Sequence, residues 1–295
     1  MEDNNFILPT SDVKAYRFGN KLELGDNIGN SKPVRKISKT EYMDLNGEIH
    51  EYANVSENRS DNKASLVKTM KRLGRYIEHN FDGSNNELWI TLTYKENVTD
   101  SKRVYEDYKA FMRKIRRHYG HVEYICILEP QKRGAWHVHA LFKSYEYDYF
   151  FIPNDRLRKI WKHGFVNVKK LKHSDNVAAY VTAYLTDLKH DNKAKSIEKG
   201  ARLHLYPAGM NFYRMSRGIQ KPLEMTGSKV KVFKEYGITN SVYSPDKYYE
   251  HEVEKTDKSK MIYKREFYNV KGGRKKWEWH KYIMQIQKKF IIRVV

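Results

Sequence analysis

With one cysteine in 295 residues, the chain can close no intramolecular disulfide and can supply no second thiolate for a Cys-type zinc site. That residue, Cys126, sits inside the apolar run Tyr124-Ile-Cys-Ile-Leu128 and reads as a small core residue. Long apolar runs are missing too, and none approaches the roughly 20 residues a membrane helix needs. The opening Met-Glu-Asp-Asn-Asn has neither the basic region nor the apolar stretch of a secretory signal. No internal repeat and no G-x-x-x-x-G-K-[ST] phosphate loop is present. Together these absences predict a soluble protein of a reducing compartment that does not cleave nucleotides through a P-loop. Acid is scarce relative to base: 36 Asp and Glu against 56 Lys and Arg leave a net charge of +20, spread along the whole chain. Such an excess speaks about partners rather than fold, and nucleic acid is the default partner. Abundant aromatics, 14% with 23 Tyr, strengthen that reading, because bases stack on aromatic faces beside basic grooves.

Three regions are expected: an N-terminal extension over 1–80, a central domain over 81–228 and a basic C-terminal extension over 229–295. Residues 1 to 64 are polar, turn-rich and poorly periodic, followed by a basic helix from Ser65 to Asn80. After the turn Phe81-Asp-Gly-Ser-Asn-Asn, Leu88 to Tyr94 alternates as a strand. Val104, Tyr108, Phe111, Met112 and Ile115 mark the apolar stripe of a helix whose other face is basic. Val122 to Leu128 is a second strand, and Pro130 to Gly134 turns the chain into a third. A helix over Asn154 to Lys162, a strand over Phe165 to Val168 and a helix from Ser174 or Asp175 through Leu188 follow. This order predicts an α+β fold, a ferredoxin-like split βαβ antiparallel sheet with flanking helices. A further strand is expected from Met261 to Val270.

The third strand carries His137 and His139 with Glu129 eight residues before the first. Alternate strand residues share a face, roughly 6.6 Å apart along the chain, so both imidazoles can converge on one divalent ion. Trp136, Val138, Ala140 and Phe142 fall on the opposite, core-facing side. Composition alone gives about half an H-x-H per chain of this kind, so the pair gains meaning only from its surroundings. Tyr180 and Tyr184 lie one helical turn apart and share a face. Chance gives about 1.8 such tyrosine pairs, and the margin of the Val177, Val181, Leu185, Leu188 stripe is an ordinary place for structural tyrosines.

Joint order and context lift both pairs, and the chain resembles the HUH endonucleases, in particular the rolling-circle replication initiators of small phages and plasmids with two tyrosines. Ile90-Thr-Leu-Thr-Tyr94 looks like the family's first motif. Glu129, Arg133-Gly134 and His137-Val138-His139 look like the second, and Tyr180-Val-Thr-Ala-Tyr184 like the third. Tyr213 to Pro222 resembles a segment that follows in such initiators, and the likeness covers Leu88 to Pro222. One feature departs. The family usually places a lysine three residues after the catalytic tyrosine, where this chain has Ala183 and Asp187. Either another basic residue such as Lys189 or Arg133 serves the phosphate or leaving group, or the reaction is slow.

The resemblance implies Tyr180 and Tyr184 as nucleophiles, and Glu129, His137 and His139 as ligands of a divalent metal, Mn²⁺ or Mg²⁺. It also implies Arg133, Lys189 and Arg217 as DNA contacts. Its substrate would be single-stranded DNA at a replication origin in the bacterial cytoplasm, with a separate helicase and the host polymerase as partners and no membrane. The tyrosines follow the histidine motif, as in initiators and single-tyrosine transposases, whereas in conjugative relaxases they precede it. Three readings outside the initiator class remain open. They are an HUH-type transposase or relaxase-like strand transferase, a metal-dependent nuclease using water, and a non-catalytic single-strand-binding module.

Overall fold

From residue 87 to residue 170 the chain runs strand, helix, strand, strand, helix, strand, in the order its hydrophobic pattern predicts. The computed structural model describes residues 6–26, 34–38, 40–52, 63–131, 133–171, 202–207, 209–238, 244–254 and 260–270. They fall into two compact units, one drawn from residues within 1–29 and 223–295, the other from those within 30–222.

The larger unit is built on a sheet of β6 (Glu87–Leu92), β7 (Val122–Pro130), β8 (Trp136–Ser144), β9 (Val166–Lys170) and β10 (Tyr213–Met215). The spatial order is β10-β7-β8-β6-β9, every neighbouring pair antiparallel. Helix α2 (Ser101–Tyr119) therefore joins β6 to β7 with β8 lying between them, and α3 (Asn154–Trp161) joins β8 to β9 with β6 between. These are two interleaved split βαβ units, and the fold is α+β as expected. Helix α2 starts at Asp100, whose carboxylate accepts from the Lys102 N–H at 2.8 Å, and ends at Gly120 with φ 70°.

Strand alternation gives the sheet two different faces. On the back, Tyr108 of α2 meets Tyr124, and Phe111 meets both Phe142 and Trp161 of α3. On the front lie Trp89, Thr91, Ile125, Ile127, His137, His139 and Leu141, a set fixed by the register Thr91↔His139↔Ile127. Helix α1 (Lys63–Asn80) adds Leu73 and Ile77 to the same core, and its Arg72 and Tyr76 act on the Tyr213 phenol, which burial pushes up. A small sheet of β3 (Arg35–Lys36), β4 (Glu41–Met43) and β5 (Ile49–Glu51) also belongs to this part of the chain.

The smaller unit carries a second antiparallel sheet. Its strands β1 (Asp12–Phe18), β2 (Lys21–Gly25), β11 (Leu223–Ser228), β12 (Lys247–Glu254) and β13 (Lys260–Asn269) are ordered β11-β1-β2-β13-β12. Helix α4 (Lys229–Glu235) contributes Val232 and Phe233 to a core with Val13, Ala15, Leu22, Leu24 and Tyr268. Inside it Lys229 and Glu266, both wholly buried, form an ion pair of 2.8 Å. The backbone of Ile7 closes this pair from both sides, its N–H donating to Glu266 (2.7 Å) and its carbonyl accepting from Lys229 (3.0 Å).

The first 64 residues thus contain strands where the sequence reads as loop. The reason is visible in β1, whose inward positions Val13 and Ala15 are small, so its alternation carries little hydrophobic contrast. The helix expected from Ser174 or Asp175 to Leu188 lies outside the described residues. Among those described, no helix is long and apolar enough to cross a membrane.

Candidate metal centre

A tight hairpin places the acid opposite the histidines. Between β7 and β8 the Gln131 N–H donates to the Ala135 carbonyl (2.7 Å) and the Gly134 N–H to that of Gln131 (2.9 Å), with Gly134 at φ 84°. Few residues other than glycine tolerate that backbone. The resulting register sets Glu129 directly across from His137 and one diagonal step from His139. All three side chains then meet at one point. Glu129 Oε2 lies 3.0 Å from His137 Nε2 and 3.0 Å from His139 Nε2, and the two nitrogens are 3.0 Å apart.

Glu129 and His139 are buried and His137 is partly so. Burial opposes the Glu129 charge, but the two imidazoles outweigh it and hold the carboxyl down at about 2. The His139 imidazolium is disfavoured by burial and by His137, against the pull of Glu129, and its pKa falls below the ordinary value. An ionised carboxylate beside a neutral imidazole is the protonation state a metal ligand set requires. The mutual separations also fit: donors about 3.0 Å apart are those of bonds of about 2.1 Å meeting at about 90°, as in octahedral sites. Glu129, His137 and His139 therefore form a group able to hold a metal ion.

Strand β6 builds the support. Thr91 Oγ1 is 3.2 Å from His139 Nδ1, and the Trp89 ring stacks on the His139 ring at 5.2 Å and 16°. Arg202 donates to the Pro130 carbonyl at 2.8 Å and stands 3.9 Å from Glu129 Oε1, the oxygen turned away from the histidines. The sequence motifs mark neither Trp89 nor Arg202. Strand register signals Trp89, whereas no local pattern announces Arg202.

The other expected residues are distributed differently. Arg133 sits on the hairpin turn, donating to the Tyr94 carbonyl (3.2 Å) and to Gln131 (3.2 Å). Arg217 is exposed on the turn after β10, beside Gly218, whose N–H donates to Glu123. That is the opposite end of β7 from Glu129, about six residues or roughly 20 Å away. Tyr180, Tyr184 and Lys189 lie outside the described residues. A second group, Asp44, Glu48 and His50, also brings ligand atoms together. There Asp44 accepts the Asn46 and Glu48 N–H groups (2.9 and 3.0 Å), which is the ordinary business of a turn.

Residues 87–189 match a family described as replication-associated protein ORF2. The matched segment begins with β6, contains the whole Glu129, His137 and His139 cluster, and extends over Tyr180 and Tyr184. It is similar to a family of replication proteins, which places DNA among its interactors. No curated protein and no solved structure matches the chain significantly.

Proposed function

We propose that this protein is a replication initiator of the two-tyrosine HUH type, which nicks and rejoins single-stranded DNA at an origin and so starts rolling-circle replication. The observation that carries the reading is the convergence of Glu129, His137 and His139 within 3.0 Å of one another inside the replication-family segment. In this reading they hold a divalent ion, and two imidazoles with one carboxylate suit Mn²⁺ better than Mg²⁺. Such an ion supplies Lewis-acid polarisation of the scissile phosphate.

The chain's own residues do the rest. Glu129, kept ionised, fixes both imidazoles, while Thr91 and Trp89 hold His139 in place. The Tyr180 phenolic oxygen bonds to phosphorus as the bond to the 3′ oxygen breaks, leaving a 5′-phosphotyrosine and a 3′-hydroxyl that primes synthesis. Tyr184 takes the second strand transfer. Because the covalent link conserves the phosphodiester energy, rejoining needs no ATP; unwinding and synthesis fall to a helicase and the host polymerase. Arg202, beside Glu129, joins Arg133 and Lys189 as a cation available in place of the family lysine.

The test is a denaturing gel of the protein with Mn²⁺ and labelled single-stranded oligonucleotides tiling the intergenic DNA of its own genetic element. Wild type is expected to give an SDS-resistant adduct, absent in His137→Ala and in at least one of Tyr180→Phe and Tyr184→Phe. Cleavage without adduct would make water the nucleophile. Binding with neither product would leave a single-strand-binding module.

A further inference from the structure

The back of the sheet carries a feature that strand cleavage does not use. Helix α2 contains seven Lys and Arg (Lys102, Arg103, Lys109, Arg113, Lys114, Arg116, Arg117) against two acids, Glu106 and Asp107. The acids are engaged: Asp107 accepts from Tyr94 and faces Arg103, and Glu106 faces Lys109 at 3.7 Å. Its buried stripe, Val104, Tyr108, Phe111, Met112 and Ile115, is turned to the sheet. That orientation drives Lys102, Lys109, Arg113 and Arg117 outward along one line, all exposed. At 1.5 Å per residue the line runs for about 22 Å, and its last three members are about 6 Å apart. Helix α3 packs beside α2 through Phe111 and Trp161 and adds exposed Arg156 and Lys159.

We infer that the outer faces of α2 and α3 form a second DNA-contacting surface, one that grips the phosphate backbone of a duplex on the side of the sheet opposite Glu129, His137 and His139. This goes beyond the cleavage reading and does not depend on covalent chemistry. Charge complementarity is the first argument, since a line of cations in large excess over acids on a rigid helix is what phosphate neutralisation needs. What the surface lacks decides between partners. No large hydrophobic residue of α2 or α3 is exposed. An acidic protein would therefore find no apolar anchor, and a single strand would find no ring on which to stack its bases. A duplex requires neither.

The experiment compares full-length wild type with the triple variant Lys109→Glu, Arg113→Glu, Arg117→Glu. It measures fluorescence anisotropy on a labelled duplex and a labelled single strand across a salt series, with a parallel Mn²⁺ titration. The duplex affinity of the variant is expected to fall at least about tenfold, and its log–log salt slope to drop by about 0.9 for each phosphate that is no longer neutralised. Single-strand affinity and Mn²⁺ binding are expected to hold. The charge-neutral triple variant with Gln at the same positions, which adds no repulsion that could unfold the helix, is expected to show a smaller loss in the same direction. Duplex affinity unchanged in the Gln variant would overturn the proposal. So would an equal loss for single strand and duplex, or duplex binding retained while an acidic protein partner is released.

Discussion

Thr91 and His139 face each other across β6 and β8, and the threonine hydroxyl lies 3.2 Å from the ring Nδ1. This arrangement leaves His139 Nε2 turned to Glu129, while the Trp89 ring covers the face of the same imidazole. His137 has no equivalent: its buried Nδ1 has no hydrogen-bond partner among the described residues. One ligand is held before any metal arrives, and the other is held mainly by Glu129. Thr91→Val, which keeps the volume and removes the hydroxyl, is expected to weaken Mn²⁺ binding by about 10- to 100-fold. Thr91→Ser is expected to stay close to wild type. Isothermal titration with Mn²⁺ reads the difference, and equal affinities for Val and Ser would dismiss a role for the hydroxyl.

Acid should loosen the metal-free protein through Glu129. Its folded pKa, about 2, lies below the ordinary 4.5, so the unfolded chain takes up the proton first. The stability that Glu129 contributes is complete above 4.5 and lost as pH falls toward 2. By pH ~3 the loss should reach about 2 kcal/mol. Burial depresses the His139 pKa as well, which adds a loss beginning just below the unfolded imidazole value. Urea denaturation in EDTA at neutral and acid pH should show a flatter acid limb for Glu129→Gln than for wild type.

Gly164 lies where the chain enters β9, and a Cβ there would meet the Thr93 carbonyl oxygen at 2.5 Å and the Lys95 nitrogen at 2.7 Å. Both are backbone atoms of a segment already bonded across this gap, Lys95 N–H to the His163 carbonyl and Thr93 N–H to that of Phe165. No flexible side chain can yield. Gly164→Ala should therefore cost about 1–3 kcal/mol, seen as a lower denaturation midpoint with an unchanged urea slope.

The buried pair of the smaller unit gives a sharper test of partnership. Lys229→Met strands the Glu266 charge and should destabilise that unit by about 3–5 kcal/mol. Adding Glu266→Gln removes the charge while keeping an acceptor for the Ile7 N–H or the Tyr268 hydroxyl, both of which bond Glu266. The double variant should recover most of the loss in thermal denaturation. A double variant as unstable as the single one would show that packing, not charge, dominates there.

The elements between residues 87 and 170 are legible in the sequence because each has strong periodicity: strand β8 alternates His and apolar residues, and α2 repeats Val104, Tyr108, Phe111, Met112 and Ile115. Observed ends differ by a residue or two, as where Lys162, expected inside α3, instead caps it at φ 66°. The approach of Glu129 to both histidines is also within reach of the sequence, since a short hairpin fixes its own register. Strands β1 and β2 are not, because their partners lie some 200 residues later and no local pattern encodes that pairing. Arg202 is hidden for the same reason, its approach to Glu129 being set by chain path rather than by motif.

The pairing of β1 with β11 and of β2 with β13 orders events on the ribosome. The first strands to emerge have no sheet to join until residues beyond 222 have been made. The replication-family segment can fold in the meantime, as domains generally do in order of synthesis. Until then β1 and β2 expose open edges, the kind of surface that recruits wrong partners. A chain released early would therefore combine an assembled metal centre with an unfinished sheet. Stalled or C-terminally clipped molecules of this protein should be more prone to aggregate than to lose the centre itself.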